Sequence, residues 1–321
     1  MRINVVVLDA VFDLGLSAVL DAFRTANDLI ALERLDVTPF DVRPIGLRRS
    51  VRTGHGLQVP LARPPARAPD CVIVPALGIK TAGPLEVALT RPDVADAGAM
   101  LRQWASTRSD TIVGAACIGT FVLAESGLLD RQRATSTWWL APVFRRRYPT
   151  VDLDESHMVV RSGRFITAGA ALSHMDLALW LIRSVSPQLA DLTARYLIVD
   201  ARASQSVYAL ADHLVHSDPI IQRFEKWARG HLTEGFALDD AAKAVGASKR
   251  TLARRTQSVL GKSPLEYVRA LRVERAVQLL KTSDASVDQV ASRVGYADAT
   301  TLRTLLRRRL GAGVRELRRA R

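Results

Sequence analysis

Two helix-turn-helix patterns stand in tandem in the last hundred residues of the chain, and they constrain its fold more than any other feature. The first runs Leu238-Asp-Asp-Ala-Ala-Lys-Ala-Val-Gly246, then Ser248-Lys-Arg-Thr-Leu-Ala-Arg-Arg255. The second runs Val287-Asp-Gln-Val-Ala-Ser-Arg-Val-Gly295, then Asp298-Ala-Thr-Thr-Leu-Arg303. In each, a short amphipathic helix ends at a glycine that accepts a positive φ, and a basic helix follows after a tight turn. Such a pair braces one helix against another and offers the second to the major groove of DNA. Two units in tandem predict an all-helical region.

The charge distribution agrees with that expectation. The whole chain carries a formal +13. Residues 218–321 hold 22 Lys and Arg against 11 Asp and Glu, a net of +11, and residues 1–217 hold 23 against 21, a net of +2. The excess is therefore local, and localised positive charge binds a polyanion by releasing its counterions. A basic, solvated helix face is the bland alternative, and the coincidence with the two motifs weighs against it.

A length of 321 residues predicts about two domains. With 48% hydrophobic and 24% charged residues the composition is that of a globular protein. No apolar run approaches the ~18 residues of a membrane helix, and the apolar start Ile3–Leu8 is too short for a signal peptide, with Asp9 directly behind it. The two cysteines, Cys71 and Cys117, lack metal-ligand spacing, which fits a reduced, cytoplasmic protein. His213 and His216 could share a helix face, but no carboxylate or cysteine completes a metal site, so neither metal nor cofactor is expected.

Residues 1–185 alternate β-branched runs with helical stretches. Strands are expected at Ile3–Leu8, Phe40–Ile45, Cys71–Pro75, Thr111–Ala116 and Arg164–Ala168, and helices at Leu16–Leu32, Val94–Ser106 and Ser173–Val185. That alternation predicts an α/β sandwich of layers around a mostly parallel sheet, which binds ligands at the C-terminal ends of its strands. At that edge Gly114-Ala-Ala-Cys117-Ile-Gly119 runs a small-residue strand into a helix. This is the pattern of a nucleophile elbow, where a helix N-terminus would lower a thiol pKa. A buried cysteine acting as a small hydrophobe is the alternative. Residues 186–217, with Pro187, the helix-like Leu189–Ala203 and Ser204-Gln-Ser206, read as a helical connector rather than a flexible tether. Pro219 opens the first helix of residues 218–321, with Ile220, Phe224 and Trp227 as its inner face.

The chain resembles two families joined end to end. Val11-Phe-Asp13-Leu-Gly15, Asp70–Pro75, Ala116–Leu129, Arg133-Ala-Thr135, Ile166–Ala170 and Met175–Leu179 resemble the PfpI-like, cysteine-elbow branch of the class I glutamine amidotransferase-like fold. Gly261–Pro264, Tyr267, Arg272, Ala276–Leu280, Val290-Ala291 and Gly295-Tyr296 resemble the AraC-type DNA-binding domain. In this order they are similar to GlxA-type AraC-family regulators over nearly the whole chain. The resemblance implies a three-layer α/β domain over 1–185, a connector over 186–217, and a DNA-binding domain over 218–321. It implies double-stranded DNA as partner and a possible small-molecule effector. A homodimer through residues 1–185 is expected, because one tail, with a weak second reader, discriminates too little among genomic sites, and because the near-neutral N-terminal region can pack against its copy. No membrane is expected.

Departures from the pattern matter as much. Relatives with enzymatic activity pair the elbow cysteine with a histidine that would fall within Thr135–Trp138, and Thr137 stands in its place. Without an imidazole Cys117 lacks a visible proton acceptor. Asp13 could hydrogen-bond the thiol region, though an anion there would raise a thiol pKa. Leu16 replaces the family's proline after Gly15. The domain therefore reads as a retired catalytic fold that senses or dimerises, with Asp13, His55, Cys117, Thr137 and Trp138 as candidate ligand-binding residues and Cys117 with Asp13 as a vestigial catalytic pair. Two alternatives stay open: a PfpI-like hydrolase, hydratase or glyoxalase using Cys117, and a scaffold that binds DNA and senses nothing.

For DNA, Ser248 is expected to cap the first recognition helix and Arg250, Thr251 and Arg254 to face the groove, with Lys249 and Arg255 on phosphates. Arginine to guanine is the commonest bidentate base contact, which favours Arg250 and Arg254 as readers. In the second unit the register turns Ala299, Thr300, Arg303 and Thr304 to the bases, while Arg307, Arg308 and Arg309 form a phosphate grip. The first unit is expected to carry more of the direct readout.

Overall fold

The computed structural model describes residues 1–200, 202, 204, 205, 216, 218–310 and 313–319, without the side chains of Arg309 and Arg319. Ala203, Ser206 and His213, which figure in the readings above, lie outside the described residues, as does the Arg309 side chain. The chain divides into two compact units: Met1–Leu140 with Arg147–Gln205, and Ala141–Arg146 with Ser206–Arg321.

The first unit opens with β1 (Arg2–Val6), α1 (Asp13–Leu32), β2 (Asp41–Ile45), β3 (Ser50–Arg52), β4 (Gln58–Pro60) and β5 (Cys71–Val74). It continues through α2 (Ala82–Leu89), α3 (Pro92–Thr107), β6 (Ile112–Ala116), α4 (Gly119–Glu125) and β7 (Arg133–Ala134). After α5 (Ala141–Arg147), which straddles the division, come β8 (Asp152–Leu153), β9 (Val159–Ser162), β10 (Phe165–Ala168), α6 (Ser173–Val185) and α7 (Pro187–Tyr196). Among the described residues a six-stranded sheet forms in the order β2-β1-β5-β6-β10-β9, parallel except for the edge strand β9. Residues of β5 and β10 are buried throughout, because a parallel sheet is covered on both faces and its strands read as continuous apolar runs. Helices α1, α6 and α7 pack together over one face, with α2, α3 and α4 grouped on the other, giving three layers. Pro187–Tyr196, read from sequence as the start of a connector, is a helix whose Leu189 and Ala190 join the core shared by α1 and α6.

Two features shape the C-terminal edge of the sheet, a hairpin not expected from the sequence and the glycine turn that was. The β3–β4 hairpin packs on the segment after β1, where Gly54 N–H donates to Val11 O at 2.8 Å and Ala10 N–H to Arg52 O at 2.7 Å. Gly119, the first residue of α4, sits so close to β5 that a Cβ there would lie 2.1 Å from Val74 O, so no larger residue fits this approach.

The second unit is helical: α8 (Pro219–Gly230), α9 (Leu238–Ala244), α10 (Lys249–Leu260), α11 (Pro264–Thr282), α12 (Val287–Arg293), α13 (Ala299–Leu310) and α14 (Val314–Arg319). Its apolar residues gather in two cores. One holds Ile221, Phe224, Ala241, Ala242, Val245 and Leu252, and the other Val290, Ala291, Val294, Leu302 and Leu306. Helix α11 belongs to both: Tyr267, Val268 and Leu271 enter the first core, and Val273, Ala276 and Leu280 the second. On α8 the buried face is Ile221, Phe224 and Ala228, with Ile220 and Trp227 only half-buried. Gly246 and Gly295 adopt φ of 67° and 80°, so the left-handed turn demanded at the end of each bracing helix is present. Among the described residues no helix is long and apolar enough to cross a membrane.

Candidate DNA interface and elbow site

The recognition helix of the first motif is α10. Ser248 caps it, its Oγ accepting from Thr251 N–H at 3.1 Å, and Leu252 fixes the helix in the core. The outward face then presents Arg250 and Arg254, four residues apart and exposed, with no ion pair among the described residues. Their neighbours differ. Lys249 Nζ lies 3.0 Å from Asp239, and Arg255 lies 2.7 Å from Asp218, the residue that caps α8. The Thr251 hydroxyl accepts from Ser248 Oγ at 2.9 Å, so it belongs to the cap as much as to the face.

The recognition helix of the second motif is α13, started by Asp298, whose carboxylate accepts from Thr301 N–H at 2.7 Å. That bond and the Thr301 hydroxyl hold the Asp298 carboxyl below its ordinary pKa. Thr300, Arg303, Thr304, Arg307 and Arg308 are exposed, and the Thr304 hydroxyl bonds back to Thr300 O at 3.0 Å. Ala299 corrects the sequence register: only 3% of it is exposed, so its methyl is buried rather than presented outward. Counting along the recognition helix placed it on the groove side, but packing at the helix entry decides otherwise.

A residue matched only by resemblance proves to organise this unit. Arg272, 8% exposed on α11, donates Nε–H to Leu232 O at 2.9 Å and a second N–H to Glu234 O. Its guanidinium lies 5.6 Å from the centroid of Tyr296, just after the second bracing helix. One buried cation thus ties the loop before the first motif to the turn of the second.

In the first unit the elbow is formed. Cys117 has φ of 55°, and Ala10 and Ala171, on the loops after β1 and β10, have φ of 60° and 37°. Three non-glycine residues in this strained region at one sheet edge are the backbone signature of a site. Cys117 is 4% exposed, its N–H donates to Ala168 O at 2.9 Å, and Ser136 Oγ donates to Cys117 O at 2.7 Å. The thiol is shifted opposite to the expectation drawn from the helix N-terminus: burial pushes its pKa up, and the amides of Ala171 and Ile118 with the Thr137 hydroxyl offset only part of this. Thr137 Oγ1 leans on the thiol without a fully formed hydrogen bond and is buried without another partner.

Asp13 is engaged by His55. Its Oδ2 meets His55 Nδ1 at 2.8 Å and accepts His55 N–H at 3.2 Å. Burial alone would raise the Asp13 carboxyl, but hydrogen bonds from Thr53, from His55 and from backbone amides hold it below its ordinary value. Four of the five candidate residues thus form two contacting pairs, Asp13 with His55 and Cys117 with Thr137. Trp138 is half-buried beside them in sequence, edge-on to Trp139 at 5.5 Å between ring centroids.

A further imidazole at this edge, and a buried one, is His174, which the sequence reading placed only within the helix Ser173–Val185. Its Nε2 accepts Ala76 N–H at 3.0 Å, so its proton sits on Nδ1 and is donated to Ala171 O. A Cβ on Gly15 would lie 2.6 Å from this ring, which explains the glycine. Burial lowers the His174 pKa to about 4, and both ring nitrogens are engaged. The imidazole at this edge is thus neutral and locked. A lone histidine in the apolar run Ala170–Leu181 was the only sequence signal for it.

Comparisons with known proteins bear on both units. The helix-turn-helix domain family matches residues 241–320. The chain is 29% identical over 304 residues to the HTH-type transcriptional regulator GbdR of Pseudomonas aeruginosa, spanning 92% of this chain and 77% of that protein. It is 28% identical over 224 residues to the HTH-type transcriptional regulator ArgR of the same species, spanning 68% and 67%. The chain is thus similar to AraC-family regulators, in the two-domain GlxA-type order. The crystal structure of an AraC family transcriptional regulator from Pseudomonas putida shares the fold, with a TM-score of 0.50 at 19% identity over 61% of this chain and 98% of that one. An α/β, mostly parallel unit followed by a helical tandem helix-turn-helix unit is thus both the expected and the observed architecture.

Proposed function

We propose that this AraC-family regulator works in the cytoplasm, where it reads duplex DNA chiefly with Arg250 and Arg254 of α10. Thr300, Arg303 and Thr304 of α13 add a weaker second reading, and Arg307 and Arg308 grip phosphates. The observation that carries this is the set of exposed arginines Arg250, Arg254, Arg303, Arg307 and Arg308 on two capped helices, none of these five ion-paired among the described residues. Lys249 and Arg255, proposed as phosphate contacts, must exchange Asp239 and Asp218 for phosphate, so they contribute less than the bare arginines. Helix α11, with 19 residues, spans about 28 Å at 1.5 Å per residue. That suits two recognition helices entering successive major grooves ~34 Å apart.

The first unit acts as sensor and dimerisation domain, with Asp13, His55, Cys117, Thr137 and Trp138 around the effector. It is not catalytic in this reading: the thiol is held protonated, Thr137 replaces the expected base, and His174 is committed to two backbone groups. A homodimer places two tails on one operator, which raises effective concentration without new base contacts.

The full-length protein should select a duplex sequence from a random library, and its affinity should fall steeply as salt rises. A folded protein that selects no duplex would overturn the reading. Sedimentation equilibrium at micromolar concentration, with and without the selected duplex, tests the dimer, and monomers in both conditions would refute it.

A further inference from the structure

The first unit ends in sequence at Gln205, a residue with no place in the reading above. Its side chain is 1% exposed. Nε2 donates to Thr135 Oγ1 and to Ser136 O, both at 3.0 Å, and Oε1 accepts Ala170 N–H at 3.1 Å. Each direction of the planar amide is answered: two acceptors face its NH2 and a donor faces its carbonyl. Gly169 leaves the room, since a Cβ there would lie 2.4 Å from Oε1. The backbone is held as well, because Gln205 N–H donates to Ser156 O at 3.0 Å and Ser204 Oγ donates to the same oxygen at 2.7 Å.

The two loops that grip this amide are the two that build the elbow. Ser136 also donates to Cys117 O, and Thr137 leans on the thiol. Ala171, next to Ala170, turns its amide toward the same thiol in a strained conformation and takes the proton of His174. A shift of either loop must break or bend a bond to Gln205, and a buried amide cannot lose a partner without cost. In sequence Gln205 is 13 residues before Asp218, the cap of the first helix of the helix-turn-helix region.

We propose that Gln205 is a latch coupling the elbow loops to the segment that leads to the DNA-binding unit, so that the state of the Cys117 site and the occupancy of DNA bias one another. This rests on the second unit binding duplex DNA. Coupling between two sites is reciprocal, so it can be read from either end without knowing the effector.

The experiment uses the full-length protein, iodoacetamide, and a duplex selected by the protein from a random library. Alkylation of Cys117 is followed by peptide mass spectrometry, which separates it from the fully buried Cys71. In the wild type, saturating duplex should change the Cys117 alkylation rate by threefold or more, in either direction. In Gln205→Ala the rate should rise overall and no longer respond to duplex, with duplex still bound. Gly169→Ala should reproduce the uncoupling while keeping the glutamine, because the new methyl displaces its amide. That second variant keeps the test decisive should Gln205→Ala fold poorly. A wild-type rate indifferent to duplex overturns the latch, as does a duplex response that survives in a folded variant. Failure of the wild type to bind any duplex would instead overturn the DNA-binding reading itself.

Discussion

The fold treats Cys117, at the entry to α4 in the first unit, and Arg254, midway along α10 in the second, oppositely. Around Cys117 several polar side chains are committed to partners within the unit. His174 spends both nitrogens on backbone, Ser136 holds the elbow carbonyl, and Asp13 takes His55. On α10 and α13 the arginines stand exposed, with the caps Ser248 and Asp298 beneath them and the core residues Leu252 and Leu302 behind. The difference teaches where each unit keeps its energy. The first invests its hydrogen bonds in holding the elbow and a protonated thiol. The second leaves Arg250, Arg254, Arg303, Arg307 and Arg308 exposed, without an ion pair among the described residues.

Arg272 is the arginine of the second unit that follows the first unit's rule, so it offers the hardest test of the contrast. Arg272→Met should cost about 3 kcal/mol or more, because it orphans the carbonyls of Leu232 and Glu234. Urea denaturation measures it, and a loss below about 1 kcal/mol would make Arg272 a surface charge like the rest.

His174 gives the next effect, in the first unit. Its folded pKa of about 4 lies below the ordinary 6.5, so the unfolded chain takes up the proton first as pH falls. Its contribution is complete above about pH 6.5 and is lost as pH drops toward 4, about 3 kcal/mol in all. His174→Gln should be less stable at pH 7 but flatter between pH 7 and 4.5, read as the midpoint of thermal unfolding. An unchanged slope would mean that some other group sets it.

At the DNA surface the effects are smaller. Arg254→Ala should cost ~1–3 kcal/mol on the selected duplex and relax preference at one base position, while Arg308→Ala should weaken selected and random duplexes alike. Equal losses on both for Arg254→Ala would move it from reader to phosphate contact. Smallest of all, Cys117→Ser should change duplex affinity less than twofold in the absence of effector. Turnover of an isonitrile or ketoaldehyde that vanishes in this variant would reverse the contrast and return the elbow to catalysis.

What was legible in the sequence was local. The strand Cys71–Val74 shows as an unbroken apolar run because both sheet faces are covered, and the Ser248 cap and both turn glycines lie within a few residues of what they serve. What was not legible depends on partners far along the chain. Arg255 meets Asp218 across 37 residues, His174 meets Ala76 across 98, and Gln205 meets Thr135 across 70. Ala299 failed for the same reason: its helical register gave a direction, and the neighbours that bury it lie elsewhere in the unit. The β3–β4 hairpin was missed because three-residue strands carry too short an alternation to stand out.

Helix α11 also acts as a ruler. Its first half is anchored in one core and its second half in the other, so the distance and phase between the two readers are set by rise and turn along a single rod. One inserted residue would advance the second half by 1.5 Å and rotate it by 100°, swinging Val273, Ala276 and Leu280 out of their core. The length of this helix therefore cannot drift by single residues as a loop's can. The spacing of the two recognition helices is in that sense written into the protein, and under the proposed reading it is the operator that must suit it.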